Sequence, residues 1–540
     1  MADKRSMMSK APSWAQWLLP IGAIAVYLLL AGYLAPFVPD DSYISFRYAD
    51  HLSQGQGLTY NAAEPPVEGY SNLLWILMCA ALGRAELSIA AWAPRIGVGL
   101  GVATLLLFWV LLRRRQSPPP VAGFGLLLVA TSGPFILYSV SGLETPLCSF
   151  LLVLAMFCAE RVFGAKRGWL PALAVTCSLF SLCRPEGVLL FPALMGLLLM
   201  ARNRSYRRCE VLAASGIYVA AMIGYHAWRM SYFGELWPTP FLSKGAGSSL
   251  LSTWTTNFRF LFWRQNHDFA PFGYYYGALG LIAGGTVLGI IRRERRMPFE
   301  ALPAALAALY GLVYLNFVDW MPGMRYAVPL IGLLALALGA SNGFVARSIR
   351  RPASAGTSAR PRRGTIAAAY GLALAIGLSS VAVLGRDGRR NEASTQRCLV
   401  ELGTWLRVNV PSHTLLAMSD VGATPYYSGL PTIDINPRSL TDRHIAHHGW
   451  SDRYFYERDP DLVVLVSFSA RRPVFYRVHQ RLFDGARFQR SYHLIGVTRY
   501  DPSEQRSYWV FASDSIRLSR EQMASFPTGL ESNPTRELAD

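Results

Sequence analysis

Apolar residues in this chain come in long unbroken runs rather than in the short alternating patches of a soluble protein. Leu18–Leu34, Ile96–Leu112, Val188–Met200 and Tyr326–Ala340 carry almost no charge. A membrane-crossing helix needs roughly 20 consecutive apolar residues. On that rule the chain predicts about eleven spans, near residues 15–37, 96–112, 121–140, 146–163, 169–183, 188–201, 210–229, 271–291, 298–318, 326–345 and 365–385. The first run is long and no small-x-small site follows it, so it is expected to be a retained helix and not a cleaved leader. Two apolar pieces, Leu73–Leu82 and Ile89–Trp92, are too short to span and too apolar for water, and predict helices lying in the interface. After Arg386 the pattern changes. Leu462–Val466 and Tyr508–Ala512 read as buried strands and Cys398–Asn409 as a helix, an α/β domain over residues 386–540, polar and expected to be disordered from about Ser525. No internal repeat is visible. The fold class is therefore an α-helical polytopic membrane protein with a C-terminal α/β domain: a transmembrane domain over residues 1–385, whose first outer loop is 38–95, and the tail.

Composition agrees. The chain is 52% hydrophobic and only 16% charged, against about 25% charged in soluble domains. Its net charge of +18 would suit nucleic acid, but the bases cluster between alternate runs: Lys4, Arg5 and Lys10; Arg113–Arg115; Arg161, Lys166 and Arg167; Arg202–Arg208; Arg292–Arg296; Arg347–Arg363. That is the positive-inside pattern. It excludes nucleic acid as a partner, places the N-terminus in the cytoplasm and, with an odd number of spans, places the tail outside the inner (cell) membrane. Lipid headgroups are the partners of these clusters. The seven cysteines lie mostly inside apolar runs without paired or metal-ligand spacing.

With that topology the unusual polar residues fall on one side. Asp40 and Asp41 sit just past the first run, where charge is costly unless it has a task. Glu64, Glu68, Tyr70 and Asn72 follow in the same loop, then Glu144, Arg184 with Glu186, Glu235, Lys244, and the stretch Asp319-Trp320 to Arg325. Carboxylates can serve as general bases toward a hydroxyl. Arg47, Arg184, Lys244 and Arg325 can neutralise a phosphate. Trp75, Trp237, Trp320 and Tyr274–Tyr276 suit either sugar stacking or the interfacial belt. Each has a plainer reading as well: a cap and turn for the Asp pair, an ion pair at a helix start for Arg184-Pro185-Glu186, a helix-start acid for Glu144, and a structural partner of Arg325 for Asp319. His444, His447 and His448 lack the fixed Cys or carboxylate partner of a metal site. The cofactor stays open: carboxylates tolerate a divalent metal, but no ligand motif calls for one. Together, acids, cations and aromatics on one membrane face suit a lipid-phosphate sugar donor.

Three segments carry a resemblance: Asp40-Asp41-Ser42-Tyr43-Ile44-Ser45-Phe46-Arg47-Tyr48-Ala49, then Gly55-Gln56-Gly57-Leu58-Thr59-Tyr60-Asn61, then Val67-Glu68-Gly69-Tyr70-Ser71-Asn72-Leu73-Leu74-Trp75. They resemble the first outer loop of the AftB-type arabinofuranosyltransferases, GT-C membrane glycosyltransferases of actinobacterial cell-wall assembly. Ser141–Thr145, Arg184–Gly187, Arg229–Lys244, Asp319–Gly323, Asp420–Ala423 and Ile433-Asp434 match in the same order, so the resemblance spans about residues 15–465. Two places depart from the family: Pro238-Thr239-Pro240 stands where it has Pro-Asn-Thr, and Phe317-Val318 precedes Asp319-Trp320 where it has Gly-Gly.

The resemblance implies a GT-C fold and a donor such as decaprenyl-phosphoryl-arabinofuranose. It also implies an extracytoplasmic transfer to a cell-envelope glycan hydroxyl, with a first-loop Asp in the site. The expected roles are Asp40 or Asp41 as the base and Arg47, Lys244 and Arg325 as phosphate-side cations. Glu68, Tyr70, Asn72, Glu144, Arg184, Asp319 and Trp320 are expected around the donor. The family's β products from a β donor imply net retention, for which the carboxylates suffice. Alternatives are a GT-C transferase for mannose or aminoarabinose, or one with a protein or pilin acceptor. A lipid-linked sugar transporter is less consistent with charges at outer helix ends and no repeat.

Overall fold

In a computed structural model the described residues are 17–164, 166, 168–200, 207–245, 253–256, 299–316, 321, 323–349, 363–467, 476–499 and 506–527. The expected span 271–291, Tyr274–Tyr276, Asp319 and Trp320 lie outside them, as do most of the basic clusters beyond residue 200.

The helices in chain order are α1 (Leu18–Leu34), α2 (Asp40–Ser53), α3 (Leu73–Arg84), α4 (Ile89–Arg114), α5 (Pro119–Ala130), α6 (Gly133–Ser139), α7 (Thr145–Phe163), α8 (Trp169–Cys183), α9 (Leu190–Met200), α10 (Arg208–Phe233), α11 (Thr239–Gly245), α12 (Leu302–Tyr314), α13 (Val328–Ile349) and α14 (Arg363–Ser394). Among the described residues α4, α7 and α10 are long and apolar enough to cross a membrane, and α5 with α6 makes a fourth if the bent pair is one span. Shorter apolar helices accompany them, and the described residues do not by themselves fix the expected count of about eleven spans. Where an expected span is broken, the local cause is visible. Residues 121–140 form two helices bent by 54°, because Pro134 in the first turn of α6 has no N–H to continue α5. Residues 188–201 begin as a 3-10 turn, Pro185–Leu189, before α9. The piece Ile89–Trp92 is the first turn of α4, capped by the Ser88 hydroxyl accepting from Ala91 N–H, and not a separate interfacial helix. α3 is the short helix expected from Leu73–Leu82.

α7 lies at the centre, with 72% of its apolar window buried, packed on α4, α8 and α13. α2 is wedged between α3 and the tail. α14 does not stop at Arg386: it runs to Ser394, through a π turn at Thr395–Val400, and into α15 (Glu401–Asn409).

The tail is an α/β domain. Strands β1 (Leu416–Met418), β2 (Thr432–Asp434), β3 (Leu462–Ser467), β4 (Tyr492–Arg499) and β5 (Ser507–Ser513) form one sheet in the order β2-β1-β3-β5-β4. β1 pairs in parallel with β2 and β3, and β5 antiparallel with β3 and β4. Around it lie α16 (Ala423–Ser428), α17 (Arg443–His448), α18 (Asp452–Arg458), α19 (Arg477–Asp484), α20 (Ala486–Ser491) and α21 (Arg520–Ala524). β3 is apolar throughout because both faces are covered. Leu462, Val464 and Val466 face the core shared with the helical part, and Val463 and Leu465 a second core with Phe455, Phe488 and Phe511. Packing continues past Ser525: Phe526 is buried edge-on against Trp405, their ring centroids 5.1 Å apart.

Candidate active site

The first loop brings two acids to the start of α2, and the fold gives them different surroundings. Pro39 precedes the helix in extended conformation and Asp40 and Asp41 occupy its first turn. The Asp40 carboxylate turns to the tail, accepting N–H bonds from Ala423 (2.6 Å) and Gly422 (3.1 Å). Gly422 is required there: a Cβ would stand 1.9 Å from the Asp40 carbonyl oxygen. Burial raises the Asp40 carboxyl to about 7; the nearby Asp420 carboxylate adds to this and the Ala423 N–H offsets part. Asp41 keeps 27% of its side chain exposed and points its Oδ2 to Arg325 Nη1 at 3.7 Å.

Behind Asp41 is a buried charge cluster. Glu144, fully buried, stands at the N-terminal end of α7, where the helix dipole favours an acid. Both of its oxygens lie 2.7 Å from Arg325 Nη2, and Arg184 Nη2 is 2.8 Å from Oε1. Asn72 donates to Oε2 at 3.0 Å and to Ser45 Oγ at 3.1 Å. Burial works to raise the Glu144 carboxyl; Arg325 and then Arg184 outweigh it and hold the group down at about 2. The arginines arrive from breaks between helices: Arg184 between α8 and the 3-10 turn, Arg325 just after Met324, whose φ is +57°.

Arg184 also lines a cleft of about 380 Å³, open mouth included, together with Ser71, Pro185, Glu186, Pro240, Phe241, Tyr314 and Tyr326. Its guanidinium lies 4.8 Å from the Tyr326 ring centroid. Among the described residues, Arg184 Nε, Arg325 Nε and Glu186 Oε1 are buried without a hydrogen-bond partner.

The fold thus gathers Asp41, Asn72, Glu144, Arg184 and Arg325. It does not gather all that was expected. Arg47 is buried, with Nε on the Tyr60 carbonyl (2.7 Å), Nη2 on the Leu430 carbonyl (2.8 Å) and Nη1 on the Pro425 carbonyl. It is a tether between loop and tail, not a free phosphate-side cation. Glu68 pairs with Arg229 at 2.8 Å in a buried position; burial outweighs the arginine and raises the carboxyl to about 7. Tyr70 packs edge-on to Tyr48 and Phe233. Trp75 is buried and donates to the Gly142 carbonyl at 2.8 Å, so it is neither belt nor sugar platform. Lys244 lies on α11.

The Asp420 network was missed. Its Oδ2 takes the Tyr508 hydroxyl (2.6 Å) and Arg506 Nη2 (2.5 Å) beside Asp40. The Asp420-Val421-Gly422-Ala423 motif was its only signal. Among the described residues no three His, Cys, Asp or Glu are placed to share a metal ion.

Comparison with solved structures places this architecture. ArnT from Cupriavidus metallidurans, bound to undecaprenyl phosphate, superposes with a TM-score of 0.60 at 13% identity, over 94% of this chain and 100% of that one. The apo form of that protein gives 0.58 at 14% identity, over 93% of this chain and 99% of that one. The oligosaccharyltransferase AglB from Archaeoglobus fulgidus, in complex with an inhibitory peptide and a dolichol-phosphate, gives 0.52 at 13% identity, over 96% and 78%. The chain has the GT-C fold. A sequence family described as a domain of unknown function (DUF8728) matches residues 387–512, most of the tail. No curated protein matches the chain.

Proposed function

We propose that this GT-C protein is a membrane glycosyltransferase. It moves a sugar from a polyprenyl-phosphate donor to a hydroxyl of a cell-envelope glycan, and arabinofuranose is the sugar to which the first-loop motif points. The observation that carries the reading is the Asp41–Arg325–Glu144–Arg184 cluster at the edge of the Arg184 cleft. A transferase needs an acceptor deprotonated and a departing phosphate neutralised. The two guanidiniums balance Asp41 and Glu144, and the unpaired Nε of Arg184, the arginine that lines the cleft, is a donor suited to a phosphate oxygen. ArnT and AglB, of the same fold, were solved with polyprenyl or dolichol phosphates, which supports the donor class.

The two first-loop acids divide the work. Asp40 is engaged by the tail, so Asp41, half-open and beside Arg325, is the group we assign to the reacting hydroxyl. In a single displacement the acceptor oxygen bonds to the anomeric carbon as the bond to the phosphate oxygen breaks. The proton goes to Asp41 and the electron pair leaves with the phosphate. Net retention would instead make Asp41 the nucleophile in the first of two displacements.

Purified protein would be given synthetic polyprenyl-phosphoryl-arabinofuranose and an arabinan oligosaccharide. Transfer lost in Asp41→Asn supports the reading. Full turnover in that variant refutes the assignment of Asp41, and no transfer or donor hydrolysis by the wild type refutes the arabinofuranose donor.

A further inference from the structure

A second space lies apart from the Arg184 cleft, between the first loop and the tail. It has a volume of about 1040 Å³, open mouth included. One wall is Glu64, Pro65 and Val67 with Glu235 after α10, and the other is the tail from Thr441 through α17 to Tyr454 and Arg458 of α18. Most of its charged groups are already engaged inside the groove. Glu64 pairs with Arg458. Glu235 takes Arg443 at 3.2 Å and His447 at 3.0 Å. Asp442 accepts the Tyr454 hydroxyl at 2.9 Å and caps α17 through Ile445 N–H, also at 2.9 Å. The exposed His444 ring stacks on Tyr454, centroids 4.0 Å apart and planes 17° apart, and has the His448 ring tilted beside it at 4.9 Å.

We infer that this groove binds a neutral oligosaccharide, the acceptor glycan of the transfer proposed above, with the His444–Tyr454 stack as its platform. Both arginines and two of the three carboxylates are already paired, and the third, Asp442, already accepts two hydrogen bonds, so a charged ligand would compete with contacts already made. A polyol gains both donors and acceptors from each pair without breaking it, and its C–H face can pack on the exposed His444 ring.

The position fits an acceptor. The stretch Val67–Ser71 starts in the groove and ends in the Arg184 cleft, and four steps of chain cover at most about 14 Å. Between them, Gly69 passes so close under the tail that a Cβ would meet Thr441 Cγ2 at 2.7 Å. The groove therefore lies within about 14 Å of the Arg184 cleft along the loop, and Asn72, next along that loop, donates to Glu144 of the charge cluster.

The inference rests on the proposed function for the word acceptor, but not for the binding, so the two are tested separately. Full-length protein in nanodiscs would be titrated with neutral hexasaccharides of arabinofuranose, galactofuranose and mannose, and with inorganic phosphate, following binding by saturation-transfer NMR and calorimetry. The expected result is saturable binding of at least one hexasaccharide. His444→Ala should weaken it about tenfold, the scale of one lost aromatic face, and His444→Phe should restore it. Binding in His444→Ala equal to wild type, or no hexasaccharide binding by the wild type, overturns the groove. Saccharide binding that follows His444 in a protein that transfers no sugar would instead overturn the proposed function and keep the groove.

Discussion

Replacing Glu144 by Gln tests the central cluster. The carboxylate is fully buried and holds two guanidiniums within 2.8 Å. Gln keeps the size and one acceptor but leaves Arg184 without its counter-charge and Arg325 with only the more distant Asp41. Two routes give the cost. Holding the carboxyl at about 2 instead of 4.5 corresponds to about 3 kcal/mol of stability at neutral pH. Removing one member of a buried pair typically costs about 3–5 kcal/mol. The expected loss is therefore about 3–4 kcal/mol, read as reversible unfolding in mixed micelles at pH 7. The pH dependence has a definite sign. The folded carboxyl lies below its ordinary value, so its contribution is complete above about pH 4.5 and fades as pH falls toward 2. The gap between wild type and variant should narrow over that window. A variant as stable as wild type at pH 7, or a gap constant down to pH 3, would refute the account of this cluster.

Asp41→Asn should abolish sugar transfer while changing stability by less than about 0.5 kcal/mol, as for a partly exposed residue outside the packed core; comparable loss of both would make Asp41 structural. Asp40 has its folded carboxyl raised from 3.8 to about 7, so ionising it costs stability. Wild type should fall behind Asp40→Asn as pH rises from about 4 through 7, by an upper bound of about 4 kcal/mol, and a pH-independent difference would contradict this. Gly422→Ala sets a methyl 1.9 Å from the Asp40 carbonyl oxygen. It should destabilise the tail's seating by about 1–3 kcal/mol, seen as faster proteolysis between the helical part and the sheet; unchanged cleavage would argue against that contact.

The sequence showed best what depends on neighbours along the chain. β3 and β5 were visible as continuous apolar runs, and Asp41 as an acid at the mouth of the first run. β1 and β2 have only three residues each, too few for a period, and β4 mixes exposed and buried positions around a bulge between Leu494 and Gly496. Hydropathy windows passed over the Gly133-Pro134 break, because a bend changes backbone hydrogen bonding and not apolarity. Arg47 was misread for a different reason. Among its acceptors are carbonyls 378 and 383 residues away, and no local pattern announces a partner at that separation. Glu144, Arg184 and Arg325 were each readable as candidates, but their union across 181 residues exists only in the fold.

The helix that leaves the bundle at α14 and reaches Asn409 through one π turn makes the connection to the sheet a shaft instead of a tether. Orientation is then set by phase. Each residue added to or removed from its α-helical length would turn the sheet domain by about 100° and shift it by about 1.5 Å, carrying Gly422 away from Asp40 and Thr441 away from Gly69. Along this shaft, length should be held more tightly than composition. Grafting another tail onto the bundle would succeed only where the new junction keeps the same angular register.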